Sequence, residues 1–422
     1  MTTTFCKIVP TRMWITALLL GMGAMQAQTL TVLHAFSGAD GASPVAGVLR
    51  DASGNLYGST GSGGAYGWGT IFKIDSNNVE SVLYSFTGGT GGGYPTALLL
   101  DKATGNLYGT ESGGCDCYEL GTVFKVDPAG KYAVLYAFTG GSDGSGPEAG
   151  LVRDAAGNLY GTTYYGGDLN TCVQSDDRLV TRFARPPMMW PPNGCGTIFK
   201  LTPAGKHTVL YRFGTAGGDG AFPAARLIRD AAGNLYGTTS SGGYLFCPGF
   251  GCGTVFKLST TRKQTVLYRF RGNEHGDGTD GAYPLGALSR DANGDLYGTA
   301  SGGYEFGAVF KVNASGETIL HTFTGTGSDG ATPDAALIQD TNGNLYGTTS
   351  AGGVYGYGTV FMLDATGTET ILYSFTGGTD GSRPVAALIR DANGNLYGTT
   401  SLGGDLSSCA PNGCGTVFEI AP

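Results

Sequence analysis

The chain has 422 residues, of which 76 are glycine and 14% are charged, with a formal net charge of −8. Glycine at about 18% is more than twice its usual share, yet 41% hydrophobic and 11% aromatic residues supply a core that a disordered chain lacks. Glycine does not recur every third residue, which excludes collagen, and an acidic chain without a basic patch is neither a nucleic-acid nor an anionic-membrane binder.

In chain order, residues 1–27 read as a secretory signal. Lys7 and Arg12 precede the apolar run Met13–Met25, and Ala24 and Ala27 provide small residues for cleavage after Ala27. That run is too short to span a bilayer, and no second run of about 20 apolar residues follows, so no membrane span is expected.

From Thr29 onward the chain is repetitive. The heptapeptide Gly54-Asn55-Leu56-Tyr57-Gly58-Ser59-Thr60 returns around Tyr108, Tyr160, Tyr236, Tyr297, Tyr346 and Tyr397. The units lie near 29–78, 79–130, 131–205, 206–263, 264–316, 317–368 and 369–422. Four strand candidates recur in each, shown in the last unit by Ile371–Phe375, Val385–Arg390, Asn395–Thr400 and Thr416–Ile420. The turn Asp391-Ala392-Asn393-Gly394 joins the second and third of these, with Gly394 free to take φ > 0. No helical periodicity interrupts the pattern.

Four strands per unit, seven times over, predict an all-β fold: a seven-bladed β-propeller of four-stranded antiparallel blades, one domain over 28–422, monomeric. The small-residue segments Val45–Leu49 and Val385–Ile389 are expected to form the innermost strand A. The NLYGTT segments are then B, the GTVFKL segments C, and the LYSF segments the outermost D. Strand Thr31–Phe36 is of type D and the chain ends on type C, so the N-terminal strand should complete the last blade.

The unit Gly-Asn-Leu-Tyr-Gly-Thr-Thr-Ser-x-Gly-Gly, followed by Gly-Thr-Val-Phe-Lys, resembles the GloVer (Gloeobacter/Verrucomicrobia) tandem repeat of bacterial extracellular proteins over residues 29–420. The resemblance implies a protein secreted by a bacterium or held in its envelope, with no established activity and no catalytic residue to carry over. It also implies a C-terminal anchoring signal in many members; the ending Glu419-Ile420-Ala421-Pro422 does not read as one.

Antiparallel blades place the D–A and B–C loops on one face, which also carries the insertion 168–194, the cysteines and the longer loop 271–282. Insertions on one face of a repeat fold mark a binding face. Asp40, Asp143, Asp219, Asp280, Asp329 and Asp380 occupy one D–A loop position, with Gly91 or Gly92 there in the second unit. They either ring the channel mouth, where converging oxygens suit Ca²⁺, or serve as local turn residues.

The B–C loops carry Tyr66 and Trp68, Tyr244 and Phe246, Tyr304 and Phe306, and Tyr355 and Tyr357. These rings either stack on sugars or pack between blades. Trp190 lies in a proline-rich insertion. Cys172/Cys195, Cys247/Cys252 and Cys409/Cys414 flank equivalent loops, the second of each preceding Gly-Thr, which predicts three disulfides. Cys115 and Cys117 break this pattern.

Arg50, Arg153, Arg229, Arg290 and Arg390, each followed by Asp, read as structural ion pairs. His34 and His321 replace the usual tyrosine of strand D and read as structural. Only Glu274, His275 and Asp277 offer a small metal or acid–base group, and no nucleophile elbow, zinc motif or phosphate loop is present. The expected function is a secreted, non-enzymatic protein that binds an extracellular glycan or protein, or acts as a scaffold, without a cofactor. The alternative is a cation-dependent hydrolase or lyase on an extracellular glycan or lactone-like substrate, with Ca²⁺ at the aspartates.

Overall fold

The structure, a computed structural model, describes residues 28–89, 92–112, 120–172, 194–214, 218–244, 247, 251–272, 280–303 and 306–422. The signal segment, Cys115, Cys117, Trp190, Phe246, Glu274, His275, Asp277 and Tyr304 lie outside these residues.

Seven four-stranded antiparallel sheets follow one another along the chain, each in the order A–B–C–D. Blade 1 consists of Leu49–Arg50, Leu56–Thr60, Thr70–Ile74 and Glu80–Ser85. Blade 7 takes Ile389–Arg390, Leu396–Thr400 and Thr416–Ile420 from the C-terminal unit, and its strand D is the N-terminal Leu30–Ala35. Leu30 pairs with Ile420 and Ala35 with Thr416, so the expected one-plus-three closure of the ring is present. Among the described residues no helix is long and apolar enough to cross a membrane.

Glycine in strand B creates the space for the core. A Cβ on Gly58, Gly109, Gly161, Gly237, Gly298, Gly347 or Gly398 would run into the ring of the strand-C phenylalanine beside it, Phe72, Phe124, Phe199, Phe256, Phe310, Phe361 or Phe418. Each of these rings meets the phenylalanine that ends strand D of the preceding blade, edge to face. The closing pair, Phe36 with Phe72, has centroids 5.0 Å apart. Twelve of these fourteen rings are the largest fully buried side chains among the described residues. Such a pair adds about 0.5–1.5 kcal/mol to its burial, so each seam is held by the same apolar contact.

Strand A is shorter than expected. Val45–Leu49 and Val385–Arg390 narrow to ladders at Leu49–Arg50 and Ile389–Arg390, and only blade 2 keeps a long strand A, Pro95–Leu100. The segments crowd one another near the axis: a Cβ on Gly47 would overlap the carbonyl of Ala387. Their carbonyls are taken instead by strand-B hydroxyls of the preceding blade. Thr399 donates to Ala46, Thr110 to Ala149, Thr162 to Pro223, Thr299 to Ala335 and Thr348 to Ala386, at 2.9–3.2 Å. Buried carbonyls must find donors, and here the threonines supply them in place of the ladder.

Candidate functional site

The D–A and B–C loops share one face and are tied together there. Ala42 bridges to Ser62, Ser145 to Tyr165, Ala221 to Ser241, Ala282 to Gly302 and Ser382 to Leu402, and Gly330–Ala331 pairs with Ala351–Gly352. The residue before each A-segment proline sits in the left-handed region, with φ from 53° to 59° at Ser43, Tyr94, Phe222, Tyr283, Thr332 and Arg383. Two backbone bonds hold Thr332 there: its N–H donates to Phe306 O at 2.8 Å, and its carbonyl accepts from Ser350 N at 3.1 Å. A β-branched residue in this region is strained, and the surrounding loops impose the conformation.

The residue preceding Gly-Thr (Gly-Ala in blade 5) at the end of each B–C loop acts as a plug over the glycine of the following D–A loop. Trp68 covers Gly88, Leu120 covers Gly140, Phe306 covers Gly325 and Tyr357 covers Gly377. In the other three blades a disulfide fills this place: Cys195 lies on Gly214, Cys247 and Cys252 on Gly272, and Cys409 and Cys414 on Gly38. The pairs Cys172–Cys195, Cys247–Cys252 and Cys409–Cys414 are bonded as expected, with Cα separations of 5.3, 5.0 and 5.3 Å.

The candidate aromatics therefore divide. Trp68 is partly buried against the core between blades 1 and 2 and meets Tyr94 at 5.3 Å. Phe306 packs into the core of the next seam, and Tyr357 lies on Gly377 but stays 47% exposed. Tyr66 and Tyr355, two residues before their plugs, are 61% and 58% exposed, and Val354 beside Tyr355 is 62% exposed. Tyr244 stands at the loop surface with Arg271 over its ring at 5.7 Å.

The six loop aspartates bond chiefly within their own blades. Asp143 accepts from Tyr136 OH at 2.9 Å and from the Thr139 N–H and hydroxyl at 2.9 and 2.6 Å. Burial opposes its ionisation, but these donors outweigh burial and hold its pKa below the usual carboxylate value. Asp380 repeats the arrangement with Tyr373 and Thr376, and Asp219 with Tyr211 and Gly214. Asp40 takes His34 Nε2 at 2.8 Å together with Ser37. Asp280 and Asp329 use one oxygen this way, and Oδ1 of each is buried without a hydrogen bond.

In blade 2, where Gly91 or Gly92 replaces the aspartate, Glu111 of strand B supplies the carboxylate. It accepts from Gly93 N at 2.9 Å and Thr122 Oγ1 at 2.7 Å.

Across several seams, a residue at the start of the next strand D approaches the loop aspartate or its aromatic partner. Tyr84 stacks on Tyr132 at 4.7 Å and Tyr136 on His207 at 4.2 Å. Three seams bring a glutamate instead: Glu80, Glu317 and Glu369. Burial and then the Asp280 charge push Glu317 up to about 8, and burial with Asp329 does the same to Glu369. His34 with Asp40 and Glu80, and His321 with Asp329 and Glu369, form two His–Asp–Glu groups whose donor atoms lie within 4.8 Å of one another. Sequence reading left both histidines as structural. The signal that would have found them is their pairing with a glutamate at the start of the following strand D.

On the opposite face the arginines reach the preceding blade rather than the aspartate that follows each in sequence. Arg50 lies over Tyr397 and Arg390 over Tyr346, at 5.6 and 5.5 Å, and Arg153 Nη1 meets Asp101 at 3.3 Å. The intervening aspartates brace the hairpins: Asp391 accepts from Asn395 N at 2.9 Å and from Tyr397 OH at 3.3 Å.

One further residue was missed. Arg226 occupies an A-segment position held by Gly47, Gly150, Ala287, Ala336 and Ala387 in other blades. Its stem lies against Gly150, close to Ala97, so three A segments meet around it. It is solvent-accessible yet walled in, and this desolvation lowers its pKa from the ordinary arginine value.

Three stretches, residues 23–173, 191–339 and 274–422, the last two overlapping, match the Gloeobacter/Verrucomicrobia repeat. The chain belongs to this family. Among solved structures, this Gloeobacter/Verrucomicrobia repeat protein resembles the extracellular domain of BT4673, a candidate one-component system from B. thetaiotaomicron. That likeness has 10% identity and a TM-score of 0.54, and spans 94% of this chain but 40% of the other. A candidate gluconolactonase matches at 13% identity and TM-score 0.41, over 78% of this chain and 88% of that one. A luciferin-regenerating enzyme matches at 16% identity and TM-score 0.40, over 78% and 91%. The likeness to BT4673 concerns the fold. No curated protein matches the sequence.

Proposed function

We propose that this repeat protein works outside the bacterial cell as a non-enzymatic propeller that binds an extracellular glycan or protein through its loop face. The observation that carries this reading is the exposure of Tyr66, Tyr355 and Tyr357 on braced B–C loops, while Trp68 beside Tyr66 is packed down. A tyrosine held out on a braced loop offers a large amphipathic surface at low entropic cost, which suits sugar faces and protein hot spots. Three disulfides favour an oxidising compartment. Arg226, walled in by the A segments, would favour a ligand bearing a carboxylate or sulfate. Asp40, Asp143, Asp219 and Asp380 engage both carboxylate oxygens within their own blades, which counts against the ring of free carboxylates that the cation-dependent hydrolase or lyase reading needs.

The test is a screen of the chain without its first 27 residues against cell-wall polysaccharides and surface proteins, with and without Ca²⁺. Tyr66→Ala and Tyr355→Ala should each weaken the binding found about tenfold without changing Tm. Trp68→Ala should instead lower Tm, because it uncovers Gly88. Binding that survives both tyrosine variants would remove the basis of this reading.

A further inference from the structure

Two seams carry a histidine with an aspartate and a glutamate, and at one of them all three facing atoms lack a hydrogen-bond partner. At the seam between blades 5 and 6, His321 Nε2 stands 3.6 Å from Asp329 Oδ1 and 3.7 Å from Glu369 Oε1. These separations are too long for hydrogen bonds. All three atoms are nevertheless buried and none has a hydrogen-bond partner. An imidazole nitrogen and two carboxylate oxygens held apart in this way cost free energy unless something lies between them.

We propose that His321, Asp329 and Glu369 bind one Zn²⁺ ion across the seam between blades 5 and 6. Zinc bonds of about 2.0–2.1 Å in tetrahedral array place neighbouring ligand atoms roughly 3.3 Å apart, close to the spacing of these donors. One imidazole with two carboxylates is a zinc-type donor set, whereas Ca²⁺ requires six to eight oxygens. Three protein donors leave a fourth tetrahedral position for another ligand. His321 lies on strand D of blade 5 (Gly316–Thr322), Asp329 follows it, and Glu369 opens strand D of blade 6 (Glu369–Ser374). The ion would thus join the outer strands of adjacent blades.

The other seams act as internal controls. Where tyrosine stands in the place of His321, its phenol donates to the loop aspartate, as in Tyr136 to Asp143 and Tyr373 to Asp380. At the seam between blades 7 and 1 the donor types recur, but His34 Nε2 is already bonded to Asp40 at 2.8 Å and Asp40 also holds Ser37. A metal there would have to break that bond, so the 5–6 seam is the stronger site.

The experiment uses the chain without its first 27 residues, stripped of metal and titrated with Zn²⁺ against a chromophoric chelator, with Tm read in parallel. Wild type should bind one equivalent at micromolar affinity or tighter, with a rise in Tm of several degrees that Ca²⁺ does not reproduce. His321→Tyr restores the residue of five other blades and should fold, yet lose that equivalent and the Tm rise. Glu369→Gln, nearly isosteric, should weaken binding at least tenfold, while His34→Tyr keeps the tight site. Absence of stoichiometric Zn²⁺ binding in wild type, or its retention in both His321→Tyr and Glu369→Gln, overturns the assignment.

Discussion

At the seam between blades 4 and 5, Asp280 and Glu317 meet without a histidine between them, and each leaves one buried oxygen without a hydrogen bond. Burial raises the pKa of both, and the Asp280 charge raises that of Glu317 further. A carboxyl whose folded pKa stands above its unfolded value contributes stability that is fully present below about 4.5 and is lost as pH climbs through about 8. Wild type should therefore lose Tm between pH 5 and pH 8.5. Glu317→Gln, which keeps the shape and removes the charge, should match wild type at pH 5 and exceed it at pH 8.5. A Tm difference that is the same at both pH values contradicts this account. None of this was legible from sequence, because Glu317 gains its meaning from Asp280 of the preceding blade, and a linear reading places the two in separate units. The same limit applied to Tyr66 and Trp68. They read as equivalent rings, and only the position of Gly88 separates the packed ring from the exposed one.

Among elements, the B–C loop shows how one structural need is met by different chemistry. Trp68, Leu120, Phe306 and Tyr357 do the same work as the three disulfides, closing the loop over a D–A glycine. Cysteine spacing and the Gly-Thr that follows were enough to pair the cysteines, because that dipeptide marks a fixed point in every blade. Their equivalence to the aromatics was hidden, since a disulfide and an indole share no sequence pattern. Replacing both Cys409 and Cys414 with alanine should cost about 2 kcal/mol from loop entropy alone, plus the contact with Gly38, and lower Tm by a few degrees in calorimetry. If reduced wild type and the double variant both melt with the oxidised protein, the plug has no energetic role. Strand A was only half legible: its small residues marked the axis correctly, but crowding there shortens the ladder and transfers its carbonyls to threonine hydroxyls.

For the whole molecule the repeat made the architecture readable, because seven copies of one strand pattern leave few alternatives to a ring. The phase of the strands also foretold the closure, in which Leu30–Ala35 completes the last blade. Deleting residues 28–36 removes this strand and with it Phe36, fully buried against Phe72. Loss of a buried phenylalanine alone costs about 3–5 kcal/mol, so the truncated chain should melt far below wild type. An unchanged melting curve would refute the closure as a source of stability.

The same closure leaves Thr29 and Ala421 side by side, with the Ala421 N–H donating to the Thr29 carbonyl at 3.3 Å. Seven seams built on one plan need not all be continuous in the chain, and the position of the break is therefore a matter of gene order more than of architecture. Splicing the two ends and cutting a hairpin turn elsewhere, such as Asp391–Gly394, yields a circular permutant with the same contacts and a latch at a different seam.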